Sequence, residues 1–186
     1  MIKIGITGQK GFIGGHLTNT LKLEPSKYNL IPFKKSFFNS SGKMENFVSQ
    51  CDVIVHLAAM NRHSDTTVIY ETNIFLVKKL ILALKNTSSN LHVIFASSIQ
   101  EGLSNKYGES KREGGDLLAK WAENNNGVYT KLMIANVFGP FGKLFYNSVV
   151  ATFCHQLTHK EQPNIEIDSE MKLIYVGELV EYFIKS

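Results

Sequence analysis

The stretch Thr7-Gly8-Gln9-Lys10-Gly11-Phe12-Ile13-Gly14 follows directly on an apolar, β-branched run, Ile2 to Thr7, at the head of the chain. It sets three glycines three residues apart, at the point where a strand should give way to a helix. Glycine has a physical task at each place. The turn out of the strand needs free backbone angles, an anion must approach the main chain, and the helix must lie close to the sheet. A helix beginning there offers oriented N–H groups to a pyrophosphate. Gly8, Lys10, Gly11, Phe12, Ile13 and Gly14 are therefore the first candidates for dinucleotide binding.

Downstream, short β-branched runs alternate with longer amphipathic segments. Strands are expected at residues 2–7, 28–33, 53–57, 92–96 and 128–134, and helices at 12–22, 44–50, 66–85, 106–124 and 148–159. Residues 36–43 and 86–90 and the Asn124-Asn125-Asn126-Gly127 stop read as turns. This alternation predicts an α/β fold, a Rossmann-like doubly wound parallel sheet. Residues 1–160 are assigned to the dinucleotide-binding domain and 161–186 to the start of a small, incomplete substrate-binding lobe. Within the latter, a strand at 164–167, another at 173–176 and a helix at 177–184 are expected as an appendage over the sheet.

The composition excludes several classes. With 44% apolar and 19% charged residues in 186, the chain can bury one core and is not disordered. No apolar run reaches the roughly 18 residues of a membrane span, and no secretory leader is visible, so no membrane partner and a cytoplasmic location are expected. Cys51 and Cys154 lie in separate apolar stretches without metal-ligand spacing to any histidine, so both are expected as buried free thiols and no metal site is expected. The net charge of +4 comes from dispersed lysines, which argues against nucleic acid.

Further chemistry gathers at the expected strand ends, where ligands bind in open parallel sheets. After the second strand, Lys34-Lys35-Ser36 stands where enzymes using NAD place a carboxylate on the ribose; two cations suit a 2′-phosphate, so NADP is expected over NAD. After the third, Leu57-Ala58-Ala59 is small enough to pass beside a flat ligand. The fourth ends in Ser97-Ser98, and nine residues later Tyr107 and Lys111 stand four apart on one helix face. An ammonium there should favour the phenolate and lower its pKa, while Ser98 holds a reacting oxygen.

Together these residues resemble the extended short-chain dehydrogenases/reductases, the nucleotide-sugar epimerase, dehydratase and reductase family. The resemblance runs through Thr7 to Gly14, His56-Leu57-Ala58-Ala59, Asn73, Ser97-Ser98, Tyr107 to Lys111 and Asn136-Val137-Phe138-Gly139-Pro140, in family order. It implies that Ser98, Tyr107 and Lys111 are catalytic, that Asn73, Tyr107 and Lys111 also contact the cofactor, and that Asn73 props the active-site helix. A closer likeness to the reductase branch that serves bacterial capsule and O-antigen synthesis lies in Asn61-Arg62, Ser97-Ser98-Ile99-Gln100 and Tyr146-Asn147-Ser148-Val149-Val150-Ala151-Thr152-Phe153-Cys154. By that likeness Arg62, Ser98, Ile99, Gln100, Asn136, Asn147 and Ser148 contact a UDP-sugar, a UDP-linked 4-keto-6-deoxy-N-acetylhexosamine reduced by NADPH. Such enzymes usually carry a further cupin domain, which this chain lacks, so it is expected to be a fragment or a reduced form.

The chain departs from the wider family at Met133, where an arginine is common, and at Val176-Gly177-Glu178, which replaces Val-Asp-Asp. Ile99-Gln100 after Ser98 argues against a dehydratase, which places an acidic pair there, although Glu101 follows closely. Epimerase chemistry and a non-catalytic dinucleotide-binding module stay open as alternatives. A homodimer is expected through the helices at 66–85 and 106–124, whose Ile69, Leu76, Leu80, Leu84, Leu117, Leu118 and Trp121 exceed what one sheet face needs.

Overall fold

A computed structural model of the chain describes residues 1–165 and 170–186. Five strands, β1 (Ile2–Thr7), β2 (Tyr28–Ile31), β3 (Val53–His56), β4 (His92–Ser98) and β5 (Val128–Ile134), form one parallel sheet in the order β2-β1-β3-β4-β5. The chain leaves β1 towards β2 on one side and returns to β3 on the other. The order therefore reverses at β1, and the C-terminal ends of β1 and β3 open a crevice there.

Helices cover both faces. Helices α2 (Ser41–Val48), α3 (Thr66–Asn86) and α4 (Lys106–Asn125) lie on one, where Phe47, Leu80, Leu84, Leu118 and Trp121 pack against Ile54, Val93 and Phe95. Helices α1 (Phe12–Leu21) and α6 (Val176–Lys185) cover the other, with Leu17, Leu179, Val180 and Phe183 against Ile6, Val55 and Ile94. Strands buried on both faces need apolar side chains at successive positions, and β1 and β4 have them. The helix α5 (Val149–Thr158) stands outside these layers, and β6 (Asn136–Phe138) pairs in parallel with β7 (Leu173–Tyr175) as a separate ribbon. Helix α4 stops where Asn126 turns left-handed (φ +53°) and Gly127 lies so close to the Trp121 ring that a Cβ would collide with it.

Several expectations change. Residues 35–39 form a short 3-10 helix instead of a turn, because Phe38 is buried beside Phe33 and Phe47. Strand β6 forms where the sequence predicts a loop after Asn136. Of the strand expected at 164–167, Asn164 and Ile165 are not in a strand and the rest lies outside the described residues. Helix α6, assigned to the substrate lobe, packs into the core shared with β1, β3 and β4. Of the apolar residues expected to exceed what the sheet needs, Ile69, Leu80, Leu84, Leu118 and Trp121 are at most 5% exposed and Leu76 and Leu117 are half-buried; the outward apolar residues of α3 are Phe75 and Leu82. Cys51 is buried, but Cys154 is exposed on α5, which has no buried residue.

Candidate active site

The glycine turn is tightened by main-chain contacts. Gly8 sits at φ +80°, and a Cβ there would lie 3.0 Å from the Ala58 nitrogen, so the turn after β1 rests on the Leu57-Ala58 backbone after β3. The Gly11 N–H donates to the Gly8 carbonyl at 2.9 Å, and a Cβ on Gly14 would drive into that same oxygen. Gly11 caps α1 without any side-chain hydrogen bond, and the first turn holds no acidic residue. Three other helices use a side chain here: Asp65 caps α3, Asn105 caps α4 and Ser148 caps α5. The first turn of α1 thus keeps the close backbone and the uncapped N–H groups that a pyrophosphate requires. Lys10 is exposed beside it, and Phe12 and Ile13 are half-buried.

The Gln9 side chain, which sequence reasoning passed over, donates to the Phe33 carbonyl at 2.8 Å and ties this turn to the end of β2. Lys34 and Lys35 follow immediately and are exposed.

Below the turn, Thr7 and His56 meet at the ends of β1 and β3, Oγ1 to Nδ1 2.8 Å, and the Thr7 Oγ1 also accepts the Ala58 N–H at 3.2 Å. Asn73 on α3 accepts the Met60 N–H at 2.7 Å and donates to the Met60 carbonyl and the Ser110 Oγ, both at 2.9 Å. One buried amide thus fixes the path after Leu57-Ala58-Ala59 and the turn of α4 that carries the tyrosine and lysine.

Ser98 ends β4 buried, and its Oγ accepts the Gln100 N–H at 3.2 Å, starting the 3-10 turn Ile99–Gly102. The first turn of α4 lies against this one so closely that a Cβ on Gly108 would strike the Gln100 carbonyl. The Asn105 Nδ2 reaches the Gln100 Oε1 at 3.4 Å. Tyr107 is half-buried there, and burial pushes its phenol up to about 12. The expected lowering by Lys111 is not the net effect. Lys111 is 4% exposed, donates from Nζ to the Ala96 carbonyl at 2.8 Å, and lies 5.7 Å from the Tyr107 ring centre. Desolvation brings its ammonium down to about 8, opposed by the Glu101 carboxylate. The strand end therefore holds a protonated phenol and, a helical turn on, a buried cation that still carries its proton at neutral pH.

Across the crevice, the Arg62 Nη1 donates to the Tyr146 carbonyl at 3.0 Å, and the Tyr146 hydroxyl donates to the Asn61 Oδ1 at 3.0 Å. The loop after β3 is thereby laced to the loop before α5. Asn136, Asn147 and Ser148 line a cavity of about 290 Å³ with Phe138, Phe153 and Leu173. Arg62, Ile99 and Gln100 are not among its lining residues. The His16 ring bonds the Pro140 carbonyl at 2.9 Å, so α1 also holds the loop that follows β6.

The family model for the NAD dependent epimerase/dehydratase family matches residues 4–185. The chain belongs to that family. Over 185 residues it is 31% identical to the UDP-2-acetamido-2,6-beta-L-arabino-hexul-4-ose reductase of Pseudomonas aeruginosa. That match takes in 99% of the chain but only 49% of the relative, so the chain spans about half that protein's length. Among solved structures it is similar to the capsular polysaccharide assembling protein CapF from Staphylococcus aureus, with 27% identity, a TM-score of 0.81, and 99% of this chain and 48% of that one covered. RMD from Pseudomonas aeruginosa, complexed with NADPH, superposes with a TM-score of 0.85 at 18% identity over 100% of this chain and 73% of that one, a likeness of fold. No helix among the described residues is long and apolar enough to cross a membrane.

Proposed function

We propose that this chain is the reductase part of an enzyme that uses NADPH to reduce the C4 ketone of a UDP-linked 4-keto-6-deoxy-N-acetylhexosamine, in the making of capsule or O-antigen sugars. The observation that carries the reading is the strand-end arrangement of Ser98, Tyr107 and Lys111, in which the phenol is held protonated and the lysine is buried against Ala96. Reduction of a ketone consumes a proton, so a phenol raised to about 12 is in the donating form at neutral pH. The name of the Pseudomonas relative supports the substrate class.

A nicotinamide dinucleotide, when bound, supplies the hydride. The residues present fit such a group. Gly8, Gly11 and Gly14 with Lys10, Phe12 and Ile13 would hold its pyrophosphate, Leu57, Ala58 and Ala59 its flat portion, and Lys111 its nicotinamide ribose. Lys34 and Lys35, exposed beside the Phe33 carbonyl that Gln9 grips, favour a 2′-phosphate and hence NADP over NAD. Ser98 orients the sugar's keto oxygen, Tyr107 gives it a proton, and Asn73 keeps α4 in register with the loop after β3. Arg62, Ile99, Gln100, Asn136, Asn147 and Ser148 would bind the UDP-sugar.

A homodimer belongs to the same proposal. Phe75 and Leu82 on α3 are 42% and 45% exposed and line a groove with Tyr70 and Ile74 that a second copy would cover. Light scattering should give twice the 20.9 kDa of the chain, and the monomer mass would sink the dimer.

The deciding assay offers the purified chain a 4-keto UDP-N-acetylhexosamine and follows consumption of reduced nicotinamide, with NADPH preferred at least tenfold over NADH. Failure to consume reduced nicotinamide with any keto sugar of this class would refute the reading. Equal use of the two cofactors would refute the role of Lys34 and Lys35.

A further inference from the structure

Glu101 is a carboxylate in an unusual place. It lies on the 3-10 turn directly after Ser98 and is 8% exposed. One of its oxygens accepts from the Ser97 hydroxyl, and the other lies 3.2 Å from the Lys131 Nζ on β5. Its main-chain oxygen accepts from the Arg112 Nη1 at 3.1 Å. Burying a carboxylate is costly even when it is paired, so the gain must lie in what it holds.

Two of these contacts flank the catalytic residues in sequence. Ser97 stands between Ala96, whose carbonyl takes the Lys111 Nζ, and Ser98. Arg112 follows Lys111 on α4. Lys131 is the register partner of Phe95, whose ring lies 4.9 Å from the Lys111 Nζ. The groups that face Lys111 are Tyr107 on its own helix, His56 on β3, which burial keeps neutral at ordinary pH, and Glu101 on the turn, with Lys131 on β5 behind it. Glu101 is the one negative charge in that set.

We propose that Glu101 is a positioning residue of the active site: it fastens the turn after Ser98 to β4 and β5 and sets its negative charge among the groups around Lys111. Lys131 tunes this by partly neutralising the carboxylate. The proposal deepens the reductase reading and rests on it only for the link to turnover; the charge on Lys111 is measurable without substrate or cofactor.

The test follows the ε-carbon resonance of Lys111 in lysine-labelled protein as pH is varied, assigned by its absence from Lys111→Arg. In Glu101→Gln, which keeps shape and a hydrogen-bond acceptor for Ser97, the Lys111 midpoint should fall below about 8. In Lys131→Gln, which frees Glu101 of its competing cation, the midpoint should rise. A midpoint unchanged in Glu101→Gln overturns the proposal. So does a fall in both variants, which would mark loosened packing in place of charge. With turnover, the alkaline limb of the pH profile should move to lower pH in Glu101→Gln. If the midpoints move in opposite directions but no keto sugar is reduced, the reductase reading fails and the positioning role of Glu101 stands.

Discussion

Thr7 and His56 close the ends of two neighbouring strands in register, and their side chains meet 2.8 Å apart beneath the glycine turn. The His56 ring is buried, stacked on Phe95 at 5.9 Å between ring centres, and its Nε2 has no partner among the described residues. Desolvation, helped by the Lys111 cation, holds it near 3 against an ordinary 6.5. The unfolded chain therefore takes up a proton below pH 6.5 that the folded chain refuses until about 3, and stability falls with acid through that window, by up to about 1.4 kcal/mol per pH unit. Urea midpoints measured between pH 7 and 4 should show this slope, and His56→Asn should flatten it.

Gly14 and Gly15 are neighbours in α1 with opposite expectations. A Cβ on Gly14 meets the Gly8 main chain, whereas one on Gly15 meets nothing within 4 Å. Gly14→Ala should loosen the turn and abolish dinucleotide binding. Gly15→Ala should stabilise the helix by about 0.5–1 kcal/mol. Chemical denaturation and a nicotinamide fluorescence titration on both variants separate the two effects.

Lys111 lowers stability where it stands. Its folded midpoint near 8 lies below the ordinary 10.5, so holding the ammonium costs on the order of 3 kcal/mol below pH 8, and that cost vanishes as pH rises to 10.5. Lys111→Met forfeits the bond to Ala96, worth about 1 kcal/mol, yet should melt higher than the parent at pH 7, with the gap closing above pH 8. Calorimetry across pH 7 to 10 checks both the sign and the window. Turnover should be lost in the same variant.

Tyr107→Phe keeps the ring and its packing and removes only the hydroxyl. Cofactor binding should persist while turnover falls by on the order of a hundredfold or more, as read in parallel fluorescence and rate measurements. A variant working near the parent rate would move the proton donor elsewhere.

Cys154 is exposed, while burial pushes the Cys51 thiol up to about 12. A chromogenic disulfide reagent at pH 7.5 should label one thiol rapidly and the second only in denaturant, and Cys154→Ser should remove the rapid phase.

Much of this was open to reading along the chain, and the parts that were not share a cause. β1 and β5 run over the residues expected of them, 2–7 and 128–134, because β-branched residues recur along both. The glycine turn was legible because its spacing follows from a backbone requirement. The apolar stripe of α3 and α4 could not be divided by sequence alone, since Leu80 and Leu118 are buried while Phe75 and Leu82 face outward on the same helix as Leu80. Cys154 sits in an equally apolar run on a helix that packs into neither core, a fact of placement. Thr7 with His56 and Glu101 with Lys131 join residues 49 and 30 apart. Such pairs become visible only once strand register and the turn after β4 are known.

The all-parallel sheet also shapes how the chain must reach its fold. Ile4 pairs with Val53 and Val53 with His92, so no two of the five strands can be joined by a hairpin, and every ladder waits for a helical crossover to form and dock. Closing such long loops spends chain entropy before contacts repay it. Helices α3 and α4, whose contacts along their own length are local, are the segments able to form early. The sheet is then expected to assemble around them late, at rates set by connectivity more than by final stability.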